Sequence, residues 1–246
     1  MVPQFQPAIN KMRVALPACA KDLNLMLANL EWQAELEPRK DFDCVLSVDA
    51  GLPTQAIQAL ETRAWKSFAE VSILTYPVPP NTNWPNAPNW AFQHTARHMQ
   101  QGQRPWFWME ADCIPLRPGW LTEWNRFYFQ CGRPIMGVIV AGMGHCNGTA
   151  VYPACFPALS KRAMTCTDTA WDGLMKDETI RHTCNAPHLL CHVWGIENGR
   201  ARPFGGEAAH FRSWQDVLRW VNLDALLFHR AKDTSLIERL REHYDR

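Results

Sequence analysis

Four apolar runs of strand length, separated by stretches of helical character, constrain this chain more than any other feature. Arg13–Ala18 (RVALPA), Asp43–Asp49 (DCVLSVD), Val71–Tyr76 and Pro105–Met109 (PWFWM) are short and nearly continuous in hydrophobicity. Asp22 stands as N-cap to a segment with Leu23, Leu25, Met26, Leu30 and Trp32 near helical spacing. Thr54 heads a predicted helix over Gln55–Ala69, and Trp90–Gln101 reads as a third. Strands that are apolar throughout and alternate with helices predict an α/β fold, a mostly parallel sheet covered on both faces. Pro77–Asn89 is a Pro- and Asn-rich loop of thirteen residues carrying Trp84. Loops of that length without their own structure are commonly functional. The second half is less regular, with Pro134–Val140 and Thr149–Tyr152 reading as strands around a Gly-rich link.

Composition narrows the function classes. The chain has 246 residues, of which 47% are hydrophobic and 20% charged, which excludes a disordered chain and fits one domain over residues 1–246. With 25 basic and 24 acidic residues the net charge is +1, so a strongly basic nucleic-acid footprint is absent. Twelve Trp are unusual; indoles fill cores first, but they also stack on bases and on the apolar faces of sugars. No run approaches the ~18–20 apolar residues of a membrane span. The apolar run Val14–Ala20 is short, interrupted by Pro17, and reads as a first strand rather than a signal segment. Nine scattered Cys without a CxxC predict reduced thiols and a cytoplasmic location. His182, Cys184, His188, Cys191 and His192 offer five zinc-ligand types within eleven residues, in a spacing that matches no standard knuckle.

In parallel sheets ligands bind off the carboxyl ends of the strands. Those ends carry Pro17–Asp22, Asp49 and Glu110-Ala111-Asp112. The last pair leaves an aromatic strand, is flanked by Trp106, Trp108 and Trp120, and precedes Pro118-Gly119. Carboxylates at i and i+2 on a chain leaving a strand project to one side, and their oxygens suit Mg²⁺ or Mn²⁺.

Strand, then E/D-x-D, then a Pro-containing loop ending in PGW resembles the metal-binding motif of glycosyltransferases with the GT-A fold. The resemblance implies a Rossmann-type mixed sheet, with residues 1–112 as nucleotide-binding half and 113–246 as acceptor half. It places the base of a nucleotide-sugar, a UDP-sugar above others, at the first strand and its loop, where Pro17, Ala18 and Asp22 stand. It places the nucleoside at Asp49. Late in the chain, Ala225-Leu-Leu-Phe-His229-Arg-Ala-Lys232 is similar to the family's strand-borne His and following basic residue. By that analogy Asp112 and His229 bind Mn²⁺ or Mg²⁺, and Lys232 meets the diphosphate. The first carboxylate here is Glu rather than Asp, which assigns Glu110 to the metal or its water shell.

The segment Ala141-Gly-Met-Gly-His145-Cys-Asn147-Gly148-Thr-Ala-Val-Tyr152-Pro153 contains GxG but precedes a strand, so it is no dinucleotide fingerprint. It resembles the region of GT-A enzymes where donor sugar and acceptor meet, with His145, Asn147 and Gly148 as candidate contacts to sugar hydroxyls. Asp172 is the candidate base for the acceptor hydroxyl. Trp171 is a candidate stacking platform, and His192 a further candidate for the acceptor or metal region.

Other classes fit less well. A sugar nucleotidyltransferase needs a Gly-rich phosphate loop after the first strand, and Leu16–Lys21 contains no Gly. A two-carboxylate glycosidase leaves His229 and Lys232 unexplained. A non-catalytic sugar- or nucleic-acid-binding module would bind its ligand equally in EDTA. For the acceptor two classes stand: a saccharide precursor of surface glycans, or DNA carrying hydroxymethylated pyrimidines, because the layout is similar to small phage-encoded glucosyltransferases that modify such bases. The latter would place the chain in a host cytoplasm. Near-neutral charge speaks against DNA, while Arg200, Arg202, Arg212, Arg219, Arg239 and Arg241, offset by Glu207, Asp216, Glu238 and Glu242, soften the objection. A flipped base would stack on Trp84, Trp90, Trp171 or Trp194.

Overall fold

The structure is a computed structural model that describes residues 11–37, 40–79, 82–192, 195–197, 200–202 and 210–244. Its first half alternates as β1 (Arg13–Ala18), α1 (Leu23–Leu36), β2 (Asp43–Asp49), α2 (Thr54–Ala64), β3 (Glu70–Tyr76), α3 (Asn86–Gln101) and β4 (Trp106–Trp108). There follow β5 (Cys113–Pro115), α4 (Trp120–Cys131), β6 (Ile135–Gly137), β7 (Ala150–Tyr152), α5 (Phe156–Leu159), α6 (Trp171–Leu174) and α7 (Lys176–Thr179). The chain continues through β8 (Thr183–Asn185), β9 (Leu190–His192), β10 (Gly195–Glu197), β11 (Arg200–Arg202), α8 (Trp214–Trp220), β12 (Leu227–His229) and α9 (Ser235–Tyr244).

Seven strands form one sheet in the order β3-β2-β1-β4-β7-β6-β8. Its β3-β2-β1-β4 side is parallel, β7 runs antiparallel to both neighbours, and β8 lies parallel to β6. Both faces are covered, as the apolar strands require. Val14 and Leu16 of β1 join a core under α1, α2, α4 and α9, while Ala15 points to the opposite core under α3. Phe92 of α3 is the hub of that second core, with rings of Trp106, Trp108, Tyr152, Phe156 and Trp171 around it. Trp32, Trp106, Trp108, Trp120, Trp124 and Trp171 are all buried, so half of the twelve Trp go to the core.

Four elements differ in their bounds from the sequence reading. Helix α3 starts at Asn86 rather than Trp90, so the preceding loop is shorter than the Pro content implies. Pro88 falls in the first turn, where a missing N–H costs nothing because those donors have no intrahelical partner. Helix α2 ends at Ala64, followed by a turn to Phe68, rather than running to Ala69. The strands expected over Pro134–Val140 and Thr149–Tyr152 shrink to three residues each, and the link between them is a tight turn with Gly142 and Gly144 at positive φ.

A second, smaller sheet positions the site. It has the order β5-β12-β9, with β12 antiparallel to β5 and parallel to β9. The register sets His229 beside Cys113 on one side and His192 on the other.

Candidate active site

Glu110 and Asp112 occupy the turn between β4 and β5, at the carboxyl edge of the parallel strands. That turn is held by its neighbours. From α1, the buried Asn29 amide donates to the carbonyls of Ala111 (3.1 Å) and Cys113 (2.8 Å), flanking Asp112 on both sides. Gln33 donates to Asn29 Oδ1, and the Trp32 indole N–H donates to Pro115 O at 2.7 Å. From the far end of the chain, the backbone N–H groups of Arg230 and Ala231 both donate to Asp112 O, at 3.0 and 3.1 Å. Residues 119 positions apart in sequence are thereby locked into one cluster.

His229 is the centre of that cluster. Its Nε2 lies 3.0 Å from Glu110 Oε2 and 3.1 Å from Asp112 Oδ1. One N–H cannot serve two acceptors well, and Asp112 Oδ1 is buried without a hydrogen bond. One ligand atom from each of the three residues lies within 4.8 Å of the others, a converging O, O, N set that fits a divalent cation. In the metal-free chain a proton takes that place: burial opposes the charge on His229, but Asp112 and Glu110 outweigh it and raise the imidazole to about 9. Burial likewise works against ionised Asp112, yet the positive charges of His229 and Lys232 hold its carboxyl far below the usual range. Lys232 Nζ reaches the other Asp112 oxygen at 3.3 Å. Glu110 Oε1 receives the Trp108 indole N–H at 3.3 Å, so Glu110 is held from both ends.

His192 stands beside His229 and lines the same cleft. The two Nδ1 atoms are 3.0 Å apart and the rings stack with centroids at 4.9 Å. Burial, then the neighbouring His229 charge, lowers His192 to about 2, so it is neutral and His229 Nδ1–H is the donor. This is the arrangement in which a second residue fixes the tautomer and orientation of a metal-ligating His.

The cluster forms one wall of a cleft of about 690 Å³, a size suited to a nucleotide-sugar fragment or a saccharide. His145, Asn147, Gly148, Trp171 and Asp172 also line it, as do Trp84, Asp168 and Arg230. Asp172 Oδ1 accepts the Gly173 N–H at 2.9 Å, and its Oδ2 lies 3.6 Å from His145 Nε2. Gly148 sits between Trp171 and Glu110: a Cβ there would come within 3.1 Å of the Trp171 ring and 3.4 Å of Glu110 Oε1. Asn147 uses its Oδ1 on the Thr149 N–H, as a turn residue.

Other residues singled out in the sequence take the following places. Trp171 lines the cleft but is largely buried, and one face of its indole packs on Phe92, with centroids 3.4 Å apart and planes 10° apart. Pro17, Ala18, Asp22 and Asp49 lie on the carboxyl edge of β1 and β2 but not among the residues lining the cleft. Asp22 accepts from the Cys19 thiol at 3.5 Å, and Asp49 closes a turn by accepting the Gly51 N–H at 2.8 Å. The stretch from His182 to His192 does not converge on a metal: among the described residues only Glu110, Asp112 and His229 form a ligand group. Trp194 and Glu207 lie outside the described residues. Sequence reasoning missed Asn29, Trp108 and Arg230. A polar Asn on the apolar face of α1 was the one available signal for Asn29. Arg230, at φ 94, lies inside the His-x-x-Lys stretch and carries a backbone strain that sequence does not reveal.

No family model and no curated protein sequence matches the chain. Among solved structures it is similar to the galactosyltransferase LgtC, solved with donor and acceptor sugar analogues, with a TM-score of 0.52 at 11% identity over 94% of each chain. The fold is that of the GT-A glycosyltransferases. Mouse xyloside xylosyltransferase 1 gives a TM-score of 0.51 at 6% identity, covering 89% of this chain and 97% of that one. The bifunctional glycosyltransferase WbbM gives 0.55 at 12% identity over 100% of this chain, which spans 53% of the WbbM chain.

Proposed function

We propose that this chain is a metal-dependent glycosyltransferase that moves a sugar from a nucleotide-diphosphate sugar, a UDP-sugar in first place, to an acceptor hydroxyl. The observation that carries the reading is the convergence of Glu110, Asp112 and His229 at the head of the cleft, with Lys232 beside them. The mixed O, O, N donor set favours Mn²⁺ over Mg²⁺, because imidazole is a poorer ligand for the harder ion. When bound, the cation offsets charge on the departing diphosphate.

The chain's own residues supply the rest. Lys232 turns from Asp112 to the diphosphate. Asp172 takes the proton of the acceptor hydroxyl through Oδ2, the oxygen its own helix does not use. The acceptor oxygen bonds to the anomeric carbon, the bond from that carbon to the phosphate oxygen breaks, and the electron pair leaves with the nucleoside diphosphate. Met143 of the Gly-rich turn and Trp84 and Pro85 before α3 flank the cleft.

Release of UDP from UDP-glucose, UDP-galactose and UDP-N-acetylglucosamine with Mn²⁺ tests the reading. UDP should appear with Mn²⁺ and not with EDTA, and Asp172→Asn should lower kcat by about 10²–10⁴-fold. UDP release that is equal in EDTA would overturn it.

A further inference from the structure

The two ends of the cleft differ in charge. Among the described residues lining it, the only Lys or Arg are Arg230 and Lys232, both next to His229. The other end, with Trp84, Asn89, His145 and Asp172, has two carboxylates, Asp168 and Asp172, and no Lys or Arg among the described lining residues. Lys176 approaches from outside that end, but its Nζ is tied to Met143 O at 2.9 Å. A phosphodiester laid there would meet two carboxylates and the single ammonium of Lys176, whereas DNA-binding surfaces draw their affinity from several Lys and Arg on phosphates.

The same end presents apolar surface at its mouth. Trp84 is 78% exposed, the most exposed large hydrophobic residue described, and Met143 is 42% exposed. Both line the cleft. Unlike Trp171, Trp84 has no aromatic stacking partner among the described residues. An indole open to solvent at a polar cleft suits the apolar face of a pyranose, whose hydroxyls then point at carboxylate and imidazole.

Building on the transferase reading, we propose that the end of the cleft bounded by Trp84, Met143, His145 and Asp172 is an acceptor subsite for an uncharged saccharide. Trp84 is its stacking platform and the residue that sets acceptor affinity. The charge pattern of the described lining favours such a saccharide over hydroxymethylated DNA.

The test uses the full chain in two arms. Calorimetry with UDP and Mn²⁺ on wild type, Trp84→Ala and Trp84→Phe reports the donor end alone. Transfer from UDP-hexoses is then followed to neutral disaccharides (lactose, cellobiose, maltose) and to an oligonucleotide carrying 5-hydroxymethylcytosine. The expected result is UDP affinity within twofold in all three proteins and transfer to a disaccharide. The acceptor KM should rise at least tenfold in Trp84→Ala, with kcat nearly unchanged and Trp84→Phe in between. Transfer to the oligonucleotide instead, no transfer to any neutral sugar, or an acceptor KM indifferent to Trp84→Ala would overturn the acceptor assignment while UDP binding keeps the transferase reading. Failure of wild type to bind UDP or another nucleoside diphosphate with Mn²⁺ would overturn the transferase reading, and the acceptor assignment with it.

Discussion

The proposed cation site carries a pH dependence at His229. Its pKa of about 9 in the metal-free fold lies above its ordinary 6.5. The stabilisation this gives is complete below pH 6.5 and is lost as pH rises through about 9. Mn²⁺ has to displace that proton, so its apparent affinity should rise with pH by close to tenfold per unit from 7 toward 9 and level off above. Titrations at several pH values check this, and a flat profile would place the metal elsewhere. His192 acts through His229. His192→Phe keeps the stacked ring but removes the acceptor for His229 Nδ1–H, and it should weaken Mn²⁺ binding by about 10–100-fold. His192→Asn, which offers an amide oxygen near the same position, should recover much of the loss. Equal Mn²⁺ affinity in wild type and His192→Phe would reduce His192 to a packing residue.

The element that matters most to the site is α1, although it contributes no side chain to the cleft lining. Its Asn29 grips the backbone on both sides of Asp112, and in Asn29→Ala two carbonyls lose their donor. The cost is about 1–3 kcal/mol for each one left without another partner. Thermal unfolding should show that loss, and Mn²⁺ affinity should fall with it because the carboxylate turn is no longer held. Asn29→Leu, which fills the space without the bonds, should be no better; full stability in either variant would contradict this account. Helix α4 is held to the same framework by Glu37, which accepts from the Thr122 hydroxyl at 3.0 Å, while Gly119 takes a left-handed φ of 72 just before the helix. The early strands were legible in sequence because each is an apolar run ending in a polar residue, and β1 and β2 fall where their hydrophobicity places them. The second half was less legible: β5, β9 and β12 are three residues each, too short to show a period, and only tertiary pairing makes them strands. Pro88 hid the start of α3 because Pro reads as loop until its place in the first turn is known.

Across the whole molecule, the fold brings Glu110, Asp112, His229 and Lys232 together from two stretches more than a hundred residues apart. Position on a strand end pointed to Glu110 and Asp112, and the resemblance to the GT-A motif pointed to His229 and Lys232, whereas the side chains that support them were invisible in sequence because they act through backbone carbonyls and ring stacking. Trp usage was ambiguous from composition, and burial resolves it. Six indoles build the core, and Trp84 alone among the described Trp is mostly exposed and faces the cleft. A near-neutral net charge conceals a cleft whose described lining carries its Lys and Arg beside His229, which is why composition left two acceptor classes open.

The central claim is that Glu110, Asp112 and His229 hold a cation that binds a nucleoside diphosphate. It is tested most directly by UDP calorimetry on wild type and Asp112→Ala, in Mn²⁺ and in EDTA. The account predicts UDP binding by wild type in Mn²⁺ that is lost in EDTA and lost in Asp112→Ala. Binding that persists in EDTA or survives Asp112→Ala would contradict it.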